Sequence, residues 1–295
     1  MLHSLAIVSL LGPVVLALSV ANVSPTCGSF LNSLDADDSL KDCTSSLANA
    51  TAAYGAAKDN SKPITKDSIT STLDSICKPN VGCSDTVMKA KLSQFYANCG
   101  PELTTNNNND VIELYDTVYS YIPLKQSICT KDDSGTYCVL KTSNVVQSQP
   151  TVLTKLQQYL WNTGPSALSK RADSAAPNMS TLSTTNTAFL LLSASLDYNT
   201  LCTSCTRNIM TKYMSWQSDS LYAPGLQASL LLSGETTLYE GITKTCGPQF
   251  MSSSVQAAGG LGKGSSSSNG SLKTFGLDLL AVSISVVTMA FATTL

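Results

Sequence analysis

Cys202-Thr203-Ser204-Cys205 has the spacing of a redox or metal-binding pair, and it is the segment of this chain best equipped for chemistry. Redox catalysis wants such a pair at a helix amino terminus, where the dipole lowers a thiol pKa, and Thr206-Arg207-Asn208-Ile209-Met210 can supply that helix. No strand-rich thioredoxin-like pattern precedes the pair, and eight other cysteines offer partners. A structural bridge is the expected role, and oxidised cysteines do not ligate zinc. Two acidic groups come next, Asp35, Asp37 and Asp38, and then Asp132 and Asp133. A glycosidase needs its two carboxyl groups several ångströms apart across a cleft; here they are neighbours in short polar turns. Asp132-Asp133-Ser134-Gly135 does not complete a calcium-binding EF-hand loop. Both groups read as solvated turns. The single histidine, His3, lies in a segment expected to be removed, which excludes Ser-His-Asp, Cys-His and His-containing zinc arrangements from the mature chain. No catalytic residue, cofactor or metal ligand is expected, and the protein reads as non-enzymatic.

The same residues point to a compartment. Ten cysteines, Cys27, Cys43, Cys77, Cys83, Cys99, Cys129, Cys138, Cys202, Cys205 and Cys246, make an even set that suits a disulfide framework on a secretory route. Asn22-Val23-Ser24, Asn49-Ala50-Thr51 and Asn178-Met179-Ser180 are N-glycosylation sequons. The apolar run at the amino end, closing on Ser19-Val20-Ala21, has the length of a signal peptide and places small residues for a cut before Asn22, although its first residues carry no Lys or Arg. Toward the other end, a Ser/Gly-rich stalk over 251–269 leads to the small residues Asn269-Gly270-Ser271, a short spacer and the apolar or hydroxylated stretch Leu279 to Leu295. That order is the pattern of a GPI-anchor signal, with Asn269 as the expected attachment residue and 270–295 as the propeptide. The expected address is the extracellular face of the plasma membrane or the cell wall. A net charge of −2 over 295 residues offers no basic field, so nucleic acid is not an expected partner. The expected membrane contact is through the GPI lipid.

The elements that must position these residues read as helices throughout. Leu31, Leu34, Leu40, Leu47 and Tyr54 recur at helical spacing between Ser29 and Ala57, and Ile69, Leu73 and Ile76 form a second stripe stopped by Lys78-Pro79-Asn80. Ser84 caps a helix with Val87, Met88, Leu92, Phe95 and Tyr96 on one face, ending at Cys99-Gly100-Pro101. Asp110 opens another over Val111 to Tyr121 with Leu114, Tyr115, Val118 and Tyr119 inward. Val152 to Trp161, Thr187 to Asp197, Cys205 to Trp216 and Gly225 to Lys244 are further helical candidates. Gly135 to Leu140 reads as a strand or extended link, and Gly164 to Ser180 as a loop whose Lys170-Arg171 pair reads as two solvated charges.

A weak repeat divides the chain into halves, 22–103 and 104–250. Tyr96-Ala97-Asn98-Cys99-Gly100-Pro101-Glu102-Leu103 is echoed by Thr243-Lys244-Thr245-Cys246-Gly247-Pro248-Gln249-Phe250. Each box follows a cysteine pair opening a helix, Cys77 and Cys83 in one half, Cys202 and Cys205 in the other, so that Cys27 and Cys43 correspond to Cys129 and Cys138. Five cysteines per half is an odd number, so full oxidation requires a bridge between halves.

Signal segment, helix-associated cysteines, Cys-Gly-Pro boxes, stalk and anchor signal together resemble a family of fungal GPI-anchored, cysteine-rich cell-surface proteins. That resemblance offers no functional residues to carry over. The cysteine-pair-then-helix pattern of Cys77 to Tyr96 and Cys202 to Trp216 is faintly similar to elicitins, small helical disulfide proteins that bind sterols, but this chain has ten cysteines rather than six, a different spacing and more than twice the length. The expected fold is all-α and disulfide-stapled, in two weakly related halves. The expected function is a non-enzymatic structural or interaction role at the cell surface, with cell-wall glycan or a small lipid as the expected contact. The alternatives are a lipid or sterol carrier, if the Phe189–Leu192 and Leu230–Leu232 runs face each other across a cavity, and a hydrolase working with carboxylates alone.

Overall fold

The computed structural model describes residues 20–51, 65–146, 161–162 and 176–252. Residues 1–19 of the expected leader, Tyr54, most of the Val152 to Trp161 candidate, Lys170-Arg171, the expected stalk from 253 onward, Asn269 and the Leu279 to Leu295 stretch lie outside the described residues. Within them the chain is all-α and stapled by disulfides. Six helices fill the first part: α1 (Pro25–Asp35), α2 (Asp38–Thr51), α3 (Lys66–Ile76), α4 (Asp85–Thr104), α5 (Asn109–Ile128) and α6 (Cys138–Val146). A two-residue antiparallel pair, β1 (Trp161–Asn162) with β2 (Ala176–Pro177), precedes α7 (Met179–Thr184), α8 (Tyr198–Leu201), α9 (Ser204–Asp219) and α10 (Glu235–Cys246). Among the described residues no helix is long and apolar enough to cross a membrane.

Hydroxyl, amide and carboxylate caps start most of these helices, which suits a chain rich in Ser, Thr and Asn. Ser24, Thr65, Ser84, Asn108, Asn178, Asp197 and Thr203 each accept a hydrogen bond from a backbone amide of the helix that follows, satisfying donors a helix start otherwise leaves open. The apolar stripes fall where the spacing places them: Leu31, Leu34, Leu40, Leu47, Ile69, Leu73, Ile76, Met88, Leu92 and Phe95 are all buried. Tyr96 is the exception on α4, standing 47% exposed although its spacing assigns it inward.

The centre of the fold is α5, with α4 and α9 packed against it. From Val111 to Leu124 nearly every side chain of α5 is buried, including Tyr115, Tyr119 and Tyr121. A helix enclosed on all sides keeps its course past Pro123 to Ile128, seven residues beyond the expected end at Tyr121, because packing outweighs the backbone bond that proline removes. Likewise α4 does not stop at the Cys-Gly-Pro box: it bends at Cys99, whose φ of −119° leaves helical geometry, and runs through Pro101 to Thr104. Aromatic rings link these helices, Phe30 to Phe95 and Phe95 to Tyr115 edge-on at 5.3 Å, and Tyr119 to Trp216 at 6.1 Å. The core runs without a break across the 103/104 boundary, Leu103 itself being fully buried.

Two expected helices take other forms. Thr187 to Asp197 is a 3₁₀ turn over Thr187–Phe189, after which Leu190 and Leu191 adopt left-handed φ of 51° and 68°. Their apolar side chains are all buried, so burial alone wrote a run that periodicity reads as helix. Gly225 to Lys244 is helical only from Glu235, after a 3₁₀ turn at Leu226–Ala228. Gly135 to Leu140 is half an extended link, with Lys131 and Tyr137 bridged, and half the start of α6.

All ten cysteines are paired: Cys27–Cys99, Cys43–Cys83, Cys77–Cys129, Cys138–Cys205 and Cys202–Cys246. Cys77–Cys129 is the bridge between halves that the odd count requires. The repeat explains the rest by one exchange. Cys43–Cys83 and Cys138–Cys205 join corresponding positions, but the box cysteine pairs with the first cysteine of its half at Cys99 and with the third of its half at Cys246. The residues left over, Cys77 and Cys129, then join α3 to the end of α5.

One glycine is required by close approach. Gly82, with φ of +83°, lies in the link between Cys77 and α4, and a Cβ there would collide with the Tyr121 hydroxyl. That hydroxyl accepts the Cys83 amide at 2.8 Å, and Lys125 Nζ donates to the Val81 carbonyl. Gly82→Ala is expected to cost about 1–3 kcal/mol, through left-handed strain and the displaced tyrosine, read as a shift of the urea midpoint at unchanged m-value.

Candidate functional site

Perturbed titratable groups cluster on and opposite α5, and such clusters are where functional sites are sought first. Asp116 sits at the middle of α5 with no exposed surface. Its Oδ1 accepts the Tyr222 hydroxyl at 2.6 Å and the Ser229 hydroxyl at 2.7 Å, and its Oδ2 accepts the Leu230 and Leu231 amides at 2.7 and 3.0 Å. Ser229 Oγ in turn accepts the Leu232 amide at 2.7 Å. The 229–232 turn is thus a cradle of donors closed around a carboxylate of the same chain. Burial pushes the Asp116 carboxyl up to about 6, against the lowering effect of its four donors.

Two further acids face the same region. Glu235, in the first turn of α10, is buried and accepts a hydrogen bond from Gln217; burial pushes it up to about 7. Glu113, half-buried on α5, is raised to about 7 by burial first and by the charges of Asp110 and Asp116 second. Around them stand Tyr115 and Tyr222 edge-on at 5.3 Å and Tyr119 and Tyr222 at 5.0 Å. Burial raises Tyr115 to about 12 and carries Tyr119 and Tyr222 higher.

What this arrangement does chemically follows from its saturation. A catalytic carboxylate must present a lone pair or a proton to a substrate, whereas the Asp116 oxygens are occupied by four protein donors. Its role is to fasten α5 to the 222–232 segment, which contains no long helix and has few backbone partners of its own. Asn186 joins the Phe189–Leu192 run to the start of α10: its side chain donates to the Leu192 carbonyl at 2.8 Å, and a Cβ on Gly234 would lie 2.7 Å from its oxygen. Phe189 packs on Tyr213 with ring centroids 4.7 Å apart, and the Tyr213 hydroxyl donates to the Ala188 carbonyl. Both leucine runs are built into the core.

Because these three acids bind protons more tightly folded than unfolded, the stability they contribute is fully present below their ordinary range near 4. It is lost as pH rises through about 6 to 7. Asp37 and Glu102 act in the opposite sense, since both are held below their ordinary values, and they lose stabilisation only in acid. Melting temperature followed by circular dichroism is expected to be higher at pH 5 than at pH 8, and Glu235→Gln is expected to flatten that slope; a curve rising toward pH 8 contradicts it.

The residues singled out from the sequence disperse over the molecule. Cys202 and Cys205 do not bond to each other; they belong to separate bridges, to Cys246 and Cys138. Asp37 is a fastening as well as a turn residue: it accepts from Ser39 and from the Leu40 amide and forms an ion pair with Lys91 of α4. Asp132 is absorbed into its own turn, accepting from Ser134 and Thr136 and pairing with Lys141. Among the described residues no three His, Cys, Asp or Glu side chains come together as a metal-ligand set. Of the sequons, Asn22 and Asn49 are exposed, while Asn178 is half-buried and caps α7 by accepting the Thr181 amide at 3.1 Å. Capping uses the carbonyl oxygen and leaves the amide nitrogen, the atom a glycan takes. Asp116 and Glu235 escape sequence reading, and the available signal for Asp116 is a charge that, with Glu113, interrupts the apolar run of Val111 to Tyr121.

Searches of curated proteins and of solved structures give no match. Residues 15–165 match the family described as a domain of unknown function, DUF7729. The matched stretch contains α1 to α6 and the bridges Cys27–Cys99, Cys43–Cys83 and Cys77–Cys129, while Cys138 within it bonds to Cys205 beyond it. The matched stretch therefore ends inside one continuous disulfide and packing network. Spanning just over half of the sequence, the match shows that this chain belongs to the DUF7729 family.

Proposed function

We propose that this protein is a GPI-anchored glycoprotein of the cell surface or cell wall with a non-enzymatic structural or interaction role. The observation that carries the reading is the pairing of all ten cysteines into five bridges spread from α1 to α10. Such a framework forms and persists in oxidising compartments. The signal-like run before Asn22, the exposed sequons at Asn22 and Asn49, and the small-residue, spacer and apolar-tail order after Asn269 support the same route. A non-enzymatic role is favoured because the single histidine lies in the leader and because the most perturbed carboxylate, Asp116, is spent on holding a loop.

The test is expression of the full chain in a eukaryotic secretory host, followed by treatment of intact cells with phosphatidylinositol-specific phospholipase C. Release of a glycosylated protein whose last peptide ends at Asn269 with an ethanolamine remnant is the expected result. Retention in the membrane, with peptides from Leu279 to Leu295 recovered from the mature protein, overturns the anchor.

A further inference from the structure

Glu102 differs from the acids of α5. It follows the bend at Cys99 in the Cys-Gly-Pro-Glu box, is 4% exposed, and accepts the Ser24 amide on Oε1 at 2.6 Å. Its other oxygen, Oε2, is buried without any hydrogen-bond partner. Burial works to raise its pKa, but the Ser24 amide and hydroxyl outweigh it and hold the carboxyl below its ordinary value. The group is therefore an anion at neutral pH, with one oxygen unanswered. Buried charges are ordinarily paired, and the ion pairs of the described residues involve Asp37, Asp38, Asp132 and Asp219 rather than Glu102.

The chain covering this carboxylate is the segment around the expected leader cut. Val20 is buried, Asn108 Nδ2 donates to the Ala21 carbonyl at 2.9 Å and to the Asn22 carbonyl at 3.5 Å, and Asn22 is held at a left-handed φ of 61°. We propose that removal of the leader supplies the missing cation: the new α-ammonium of Asn22 pairs with Glu102 Oε2 and locks the mature amino terminus onto α4. This inference rests on the secretory reading and on its cut after Ala21. In that hydrolysis the Ala21 carbonyl takes the hydroxyl of water, and the Asn22 nitrogen, released from the peptide bond, becomes an ammonium. The new amine is two residues from Ser24, a chain reach of at most about 7 Å, and the Ser24 amide already touches the same carboxylate. Cutting also frees Asn22 from its left-handed φ, since that torsion requires the Ala21 carbonyl carbon. Asn108 keeps the Asn22 carbonyl as a partner, and Cys27–Cys99 holds α1 beside the site. A glycan on the Asn22 side chain leaves the α-amine unmodified.

Competitive acetylation of the intact secreted protein tests this without a variant, the modified fraction of its first peptide being read by mass spectrometry against pH. The expected result is a first residue of Asn22 whose amine titrates at least one unit above the ordinary range of about 7.7–8.0, so that its free-amine fraction at pH 8 falls at least about fourfold. Glu102→Gln is expected to return it to the ordinary range. A first residue other than Asn22 overturns the cut on which the inference rests. A start at Asn22 with an ordinary titration, in wild type and in Glu102→Gln alike, leaves the cut standing and overturns the pairing. Should Glu102→Gln fail to fold, the wild-type titration decides alone.

Discussion

Replacing Asp116 with alanine is expected to cost about 3–5 kcal/mol of unfolding free energy. The deletion leaves the Tyr222 and Ser229 hydroxyls and the Leu230 amide without their acceptor, and leaves the Leu231 amide only Ser229 Oγ at 3.2 Å. Asp116→Asn is expected to cost less at neutral pH, because one oxygen still accepts and the charge that burial disfavours is gone, though its amide confronts donors. Tyr222→Phe removes one donor and is expected to cost about 1 kcal/mol. Urea unfolding with the disulfides intact measures all three. Hydrogen exchange locates the effect, with amides of 229–232 losing protection in Asp116→Ala while those of α1 to α3 keep theirs. An Asp116→Ala variant within 1 kcal/mol of wild type would show that the loop is held by apolar packing alone.

Removal of the bridge between halves is the second large effect. Cys77→Ser with Cys129→Ser opens a bridge that spans 52 residues, for which chain entropy alone gives about 4 kcal/mol and experience with native bridges about 2–5 kcal/mol. The loss falls on α3 more than on α5. The latter is enclosed by α4 and α9, whereas α3 is held by its contact with α2, by the Tyr137 hydroxyl donating to Asp74 and by this bridge. The expected outcome is a lower melting temperature together with selective proteolysis in or beside α3, the other four bridges staying formed. Peptide mapping without reduction gives the direct check in the native protein. A peptide joining Cys77 to any cysteine other than Cys129 would overturn the exchange that relates the two halves.

Much of this architecture is legible from residue order. The Leu31, Leu34, Leu40 and Leu47 stripe, the Ile69, Leu73 and Ile76 stripe and the Ser84 cap are local signals, and each lies where the spacing places it. The same local reasoning ends α5 at Tyr121 and makes a helix of Thr187 to Asp197. In the first case a helix buried on every side tolerates Pro123. In the second, buried leucines occupy left-handed turns that carry no periodic signature. Asp116 was similarly hidden, since its four donors come from residues 222 to 231, more than a hundred positions away.

By itself, then, the sequence determined composition-level and short-range properties: helical class, caps, an even cysteine set with an odd count per half, and a single histidine, His3. Only the tertiary structure decided which cysteines meet, why Cys202 and Cys205 serve different bridges, and where the isolated charges of α5 and the Cys-Gly-Pro-Glu box find their donors. Helical periodicity and capping act over a few residues and are written in neighbouring positions. Disulfide partners and buried-charge partners are chosen by proximity after collapse, which depends on the packing of the whole chain.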